Sequence, residues 1–254
     1  MAPLERHQYP YNDDNYGVLL HCPESGDTVA IDSGDADATN AALAATGWHL
    51  TQIWVTHHHG DHTAGVAALK ARHHAQVVGP TKTPLAAIDH RVDDGDHFTF
   101  AGRPIRAIAT PGHTLDMMNF YLPDEGLVFT GDTLFALGCG RLFEGDATIM
   151  WPSLEKLLAL PDDTMIYCSH EYTRANARFA VSVDPDNDAL KDRAAEIDRL
   201  RAMGIATVPT TLALEKATNP FLRPDDPAIR THLGMQDADN VAVFAEIRAR
   251  KDRF

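Results

Sequence analysis

The residues Thr56-His57-His58-His59-Gly60-Asp61-His62 constrain this chain more than any other segment. They follow residues 50–56, LTQIWVT, whose β-branched and aromatic content predicts a strand. On an extended segment, side chains two apart point the same way. His57, His59 and, further on, Asp61 are therefore expected on one face, with His58 directed away from it. Gly60 lets the backbone turn, so that His62 can converge too. This differs from an HExxH helix, where two histidines sit one turn apart. Imidazole and carboxylate at this density suit zinc, iron or manganese rather than a thiolate site. A solvated loop or a tag remnant is the alternative, but the run is internal, interrupted by Gly60-Asp61 and placed directly after a strand.

One segment cannot fill a metal site, so further donors should stand at other strand ends. Pro111-Gly112-His113-Thr114 follows a strand expected at 105–110, and Thr130-Gly131-Asp132-Thr133 follows one at 127–129. Ser169-His170-Glu171 follows a third, at 164–168. Around them the first two thirds of the chain read as short apolar runs broken by turns. Strands are predicted at 16–21, 28–31, 76–78, 97–101 and 118–122, with helices at 38–46, closed by Gly47, and at 63–74. The last third changes character. Helices at 188–203, ended by Gly204, and at 240–251 carry apolar residues at three- and four-residue steps. Asp184-Pro185 reads as the start signal of the first, and residues 219–224, NPFLRP, as a stiff extended linker. The pattern predicts stacked sheets covered by helices, followed by a helical region, with a boundary near 172–176.

Charge narrows the partners. Acidic residues outnumber basic ones 36 to 22, a formal charge of −14. That argues against a broad nucleic-acid or anionic-membrane surface. Three scattered cysteines without a CxxC pair exclude a disulfide framework and fit a reducing compartment. No apolar run approaches the ~20 residues of a spanning helix, and the first residues lack a signal pattern, so a cytoplasmic location is expected.

Taken together, THHHGDH, PGHT, GDTLF and SHEYT resemble the metallo-β-lactamase superfamily. GCGRLFEG at 138–145, HEYT at 170–173, NPFLR at 219–223 and RKDRF at 250–254 resemble its glyoxalase II, or hydroxyacylglutathione hydrolase, branch. The resemblance implies an αββα sandwich of two mixed β-sheets with helices outside, an α/β fold (α+β in some schemes), as a catalytic domain over residues 1–173. A small helical substrate-binding domain would follow over 174–254. It implies two divalent metal ions, zinc first, with iron or manganese accepted by the same donors. His57, His59 and His113 would hold one ion, Asp61, His62 and His170 the other, and Asp132 would bridge them. Asp32 matches a buried supporting aspartate, a position that orients ligands.

The implied reaction is hydrolysis of S-D-lactoylglutathione to glutathione and D-lactate, as in methylglyoxal detoxification. Asp61 and Asp132 would act with a hydroxide shared by the two cations, which attacks the thioester carbonyl. A thiol with a pKa of about 8.5 leaves as thiolate without a strong general acid. Arg141, Phe143, Tyr172, Arg248 and Lys251 match substrate contacts. Arg248 and Lys251, three apart on the last helix and beside its apolar stripe, would clamp the glycine carboxylate of glutathione. Phe143 lacks the hydroxyl that tyrosine-bearing members use. His58 reads as structural or as an edge of the site, His73 and His74 as surface residues at a helix end, and Cys139 and Cys168 as packing residues. The expected protein is a monomer that takes a small-molecule substrate and neither nucleic acid nor membrane. The alternative is a mononuclear iron persulfide dioxygenase of the same superfamily, built on a set such as His57, His113 and Asp132. The helical tail bearing Arg248 and Lys251 stands against it. A metal-dependent nucleic-acid processor is a third reading, opposed by the net charge.

Overall fold

A computed structural model describes residues 2–254. The chain forms two compact units. The first runs to Ala109 and resumes over Asp116–Gly131; the second comprises Thr110–Leu115 and Asp132–Phe254. The expected boundary at 173/174 lies inside the second unit.

In the first unit, a six-stranded sheet runs β1 (Glu5–Tyr11), β2 (Asn15–His21), β3 (Asp27–Ile31), β4 (His49–Trp54), β5 (Gln76–Pro80), β6 (His90–Val92) in spatial order. It is mixed: β1, β2 and β3 pair antiparallel, and β3 through β6 pair parallel. Four strands of a second sheet follow, β7 (His97–Phe100), β8 (Arg103–Ala109), β9 (Met118–Leu122) and β10 (Leu127–Gly131), paired antiparallel. The two-residue period of β4 explains the layering. Trp54, fully buried, meets the rings of Phe98 and Phe100 edge-on at 5.3 and 5.8 Å, and that of Phe120 at 5.4 Å. Its neighbour Ile53 faces the opposite way, into the cluster where α1 (Ala36–Thr46) and α3 (Val66–His73) cover the first sheet with Ala42, Leu43, Val66 and Leu69. Asp35 caps α1, accepting from the amides of Asp37 and Ala38, and Gly47 at φ +75° closes it as expected.

The helix expected at 63–74 is two pieces. A single turn, α2 (Gly60–Thr63), comes first and α3 follows after Gly65. A Cβ at Gly65 would stand 2.6 Å from both Ser33 O and Ala36 N, so the close approach of the 33–36 segment fixes glycine here. The extended reading through Asp61 is likewise corrected. The strand stops before His59, and Asp61 and His62 belong to the helical turn.

In the second unit, β11 (Leu134–Phe135) and β12 (Gly138–Cys139) pair across a tight turn in which Leu137 takes φ +57°. β13 (Met165–Cys168) pairs with β14 (Thr210–Thr211). Six helices complete it: α4 (Ala147–Leu158), α5 (Thr173–Val183), α6 (Asp188–Ala202), α7 (Leu212–Thr218), α8 (Pro227–Leu233) and α9 (Asn240–Arg253). Leu137, Ala177, Ala180, Leu190 and Ile197 form one of its cores. Two expectations are corrected. α6 is started by Asn187, whose side chain accepts from Leu190 N, while Asp184 ends α5. The 219–224 segment is not extended: Pro220–Leu222 is a 3₁₀ turn, because the Asn219 side chain accepts from Phe221 N and proline suits a first helical position. Among the described residues, no helix is long and apolar enough to cross a membrane.

Candidate metal centre

Each unit supplies a set of nitrogen and carboxylate donors. In the first, β3 leads into Asp32, which takes φ +49° and is 1% exposed. Its Oδ1 accepts Thr56 N at 2.8 Å, and its Oδ2 accepts the Thr56 hydroxyl at 2.8 Å. The same Oδ2 lies 2.9 Å from His62 Nδ1. Thr56 Oγ1 also lies 3.0 Å from His57 Nδ1. Because that hydroxyl donates to Asp32, it accepts from His57. Both imidazoles therefore carry their proton on Nδ1 and keep the Nε2 lone pair for a cation.

The Nε2 atoms face further donors. His57 Nε2 is 3.0 Å from His59 Nδ1, and His62 Nε2 is 3.2 Å from Asp61 Oδ2. Asn15 donates to Asp61 Oδ2 at 3.1 Å, and Tyr11 donates to the Asp61 carbonyl at 2.8 Å. A Cβ at Gly34 would meet that carbonyl at 1.9 Å, so this turn closes only over glycine. His58 points elsewhere, with Nδ1 2.9 Å from Asp116 Oδ1; Thr83 donates to the other oxygen of Asp116. Tyr11, Asn15, Thr56, Thr83 and Asp116 escape sequence reading. None lies in a ligand-like spacing, and all but Thr56 reach the motif from distant segments. His74 is exposed as expected, but His73 is half-buried against Asn40 Oδ1, 2.7 Å away.

In the second unit, Asp132 stands between two buried histidines. Its Oδ2 is 3.4 Å from His113 Nε2 and its Oδ1 is 3.3 Å from His170 Nε2. The Arg141 carbonyl can only accept, so His113 Nδ1, 2.7 Å away, is its protonated nitrogen and Nε2 is again the donor atom. The loop after Asp132 is bound at almost every residue by side chains from further along the chain. Asn176 donates to Ala136 O at 3.1 Å, and Asn219 to Phe135 O and Gly138 O at 3.3 and 3.1 Å. Arg248 donates to Cys139 O at 2.9 Å, while Glu215 accepts Leu137 N at 2.8 Å.

The expected substrate contacts lie in the same unit. Tyr172 stacks on His170 with centroids 4.7 Å apart and planes 2° apart. Phe143, 61% exposed, meets the His113 ring edge-on at 5.2 Å, and the Arg141 guanidinium lies 5.9 Å from the Phe143 ring. Lys251 Nζ sits between the rings of Phe179 and Phe254 at 5.3 and 5.5 Å, and its partial burial lowers its pKa. Arg248 corrects one expectation. It lies on the buried stripe with Val243, Phe244 and Ile247, not beside it, and is 6% exposed. Its guanidinium covers the Phe221 ring at 5.1 Å and donates to Asp252 Oδ1 at 2.9 Å. Cys139 and Cys168 are buried, free thiols, in keeping with packing roles; burial pushes Cys139 up to about 11 and Cys168 to about 12.

Two sheets packed face to face under helices, with histidine and aspartate donors just beyond strand ends, define a metallo-β-lactamase-type protein. Residues 16–170 match the family model described as the metallo-beta-lactamase superfamily, and with these donor clusters that establishes a divalent-metal site. Residues 171–254 match the hydroxyacylglutathione hydrolase C-terminus. A hydroxyacylglutathione hydrolase of Brucella anthropi is 57% identical over 257 residues, covering 100% of this chain and 99% of that protein. The chain belongs to the hydroxyacylglutathione hydrolase family of the metallo-β-lactamase superfamily. Among solved structures, ETHE1 from Myxococcus xanthus superposes with a TM-score of 0.69 at 26% identity, covering 98% of this chain and 90% of that one. TTHA1623 in a di-iron-bound form gives 0.61 at 25% identity, covering 84% and 98%.

Proposed function

We propose that this protein hydrolyses glutathione thioesters, chiefly S-D-lactoylglutathione, to glutathione and the hydroxy acid. The observation that carries the reading is end-to-end identity above one half with a hydroxyacylglutathione hydrolase. His57, His59 and His113 are assigned to one divalent cation, Asp61, His62 and His170 to a second, and Asp132 to both. Support comes from the protonation pattern, which leaves Nε2 available on His57, His62 and His113. Held by these residues, two such cations would supply a water ionised near neutral pH and a counter-charge for the oxyanion.

The chain's own residues do the rest. Asp61 and Asp132 offset the cationic charge, and Asp32 keeps His62 oriented. Tyr172 and Phe143 present exposed ring faces beside His170 and His113. Arg141, Arg248 and Lys251 offer cations to the carboxylates of glutathione. The departing thiol needs no protonation by the protein, since its pKa is about 8.5. In this reading residues 1–173 are the catalytic domain and 174–254 the substrate-binding domain. All assigned groups come from one chain, so a monomer suffices. Three free, buried thiols suit a reducing cytoplasm. Zinc is the first assignment, and iron or manganese would be accepted by the same donors.

The test is loss of the S-D-lactoylglutathione thioester with protein of known metal content. Turnover that stops on chelation and returns with metal supports the reading. Protein holding two metals per chain that leaves the thioester intact overturns it. A second reading is an iron persulfide dioxygenase of the same superfamily; oxygen uptake with one iron per chain would favour it. The match of residues 171–254 to the hydrolase C-terminus favours the thioesterase.

A further inference from the structure

The end of α9 carries Arg248, Lys251 and Asp252 within five residues. Arg248 is anchored without Asp252. Its Nη1 donates to Cys139 O at 2.9 Å and its guanidinium lies over Phe221. The Nε–Nη2 edge of a guanidinium is a fork for a carboxylate. Here that fork is half used: Nη2 meets Asp252 Oδ1 at 2.9 Å, while the buried Nε has no acceptor among the described residues. A buried donor without an acceptor favours any ligand that supplies one. The same Asp252 Oδ1 lies 3.4 Å from Arg141 Nε. One carboxylate oxygen thus sits between two arginines, both of which are assigned above to the substrate's carboxylates.

We propose that Asp252 is a specificity-determining residue, a built-in carboxylate that occupies the Arg141–Arg248 pair in the free protein and competes there with the glycine carboxylate of a glutathione ligand. The inference rests on the thioesterase reading. The sign of the effect follows from the anchoring. Cys139 O and Phe221 hold the Arg248 guanidinium in place, so removing the Asp252 charge frees the fork rather than moving it. Glutathione binding should then tighten. Were Asp252 the anchor, its removal would weaken binding. Asp252 and Arg141 are both partly exposed, so the effect is about two- to fivefold.

The experiment is calorimetric titration of metal-loaded wild type, Asp252→Asn and Asp252→Glu with glutathione and with its glycyl ethyl ester. For Asp252→Asn, the Kd for glutathione should fall about two- to fivefold and that for the ester should stay unchanged. Asp252→Glu should restore the wild-type Kd. In turnover, KM for S-D-lactoylglutathione should fall in Asp252→Asn by the same factor, with kcat nearly constant. Weaker glutathione binding, an unchanged Kd, or an equal shift for acid and ester would overturn the proposal. Failure of the thioesterase reading is seen separately, as metal-loaded wild type that binds glutathione but leaves the thioester intact.

Discussion

The carboxylate of Asp32 lies 2.9 Å from His62 Nδ1, across 30 residues of chain and with both side chains buried. Asp32→Asn removes this carboxylate without straining the backbone, because asparagine tolerates the positive φ of the position. A neutral amide cannot accept all three hydrogen bonds that Asp32 takes from Thr56 and His62. Metal affinity should fall about 10- to 100-fold, measured by competition with a chromogenic chelator. Wild-type affinity would contradict the orienting role.

Asp132 lies within 3.4 Å of one nitrogen on each of two histidines. Asp132→Ala should lose metal retention and thioester hydrolysis together. Metal analysis after gel filtration, run beside the activity assay, checks both. Full activity in this variant would remove Asp132 from the mechanism.

Glu215 is fully buried, paired with Arg193 and bonded to Leu137 N and Asn219 Nδ2. Glu215→Ala leaves the Arg193 guanidinium without its carboxylate and the Leu137 amide without its side-chain acceptor. The cost should be about 3–5 kcal/mol, a drop in Tm on the order of 10 °C for a chain of this size. Differential scanning calorimetry of the two metal-loaded proteins tests this, and an unchanged Tm would refute it.

Burial pushes the Cys139 thiol up to about 11, outweighing the nearby Arg248. Iodoacetamide at pH 8 should leave it unmodified in the folded protein and alkylate it once unfolded. The folded state keeps this proton while the unfolded thiol loses it near pH 8.5. Its contribution to stability is therefore complete below about pH 8.5 and declines as pH rises towards 11. The loss of Tm between pH 8 and pH 10 should be smaller in Cys139→Ala than in wild type; an equal slope would contradict the assignment.

The strand before His57, the donors beyond strands 105–110, 127–129 and 164–168, and the glycine closing α1 were all legible, because each depends on local pattern. The helical form of the turn that carries Asp61 and His62, and the break at Gly65, were not. The break answers the close approach of residues 33–36 to Gly65, which no local spacing encodes. The same holds for Arg248. Helical periodicity finds the apolar stripe, but an arginine joins it only because Phe221 and the Cys139 carbonyl, 109 residues away, complete its surroundings. Asn15 and Asp116 likewise reach the histidine motif from distant segments.

The loop after Asp132 owes its bonds to Asn176, Glu215, Asn219 and Arg248, all of which lie beyond residue 173. A gene truncated there would still encode every proposed metal ligand. It would also leave four of that loop's carbonyls and one amide with no side-chain partner. The tail is thus not a detachable module that recombination could exchange freely for another. A lineage that replaced it would have to re-evolve four buried side chains before the inherited ligands could be held in place.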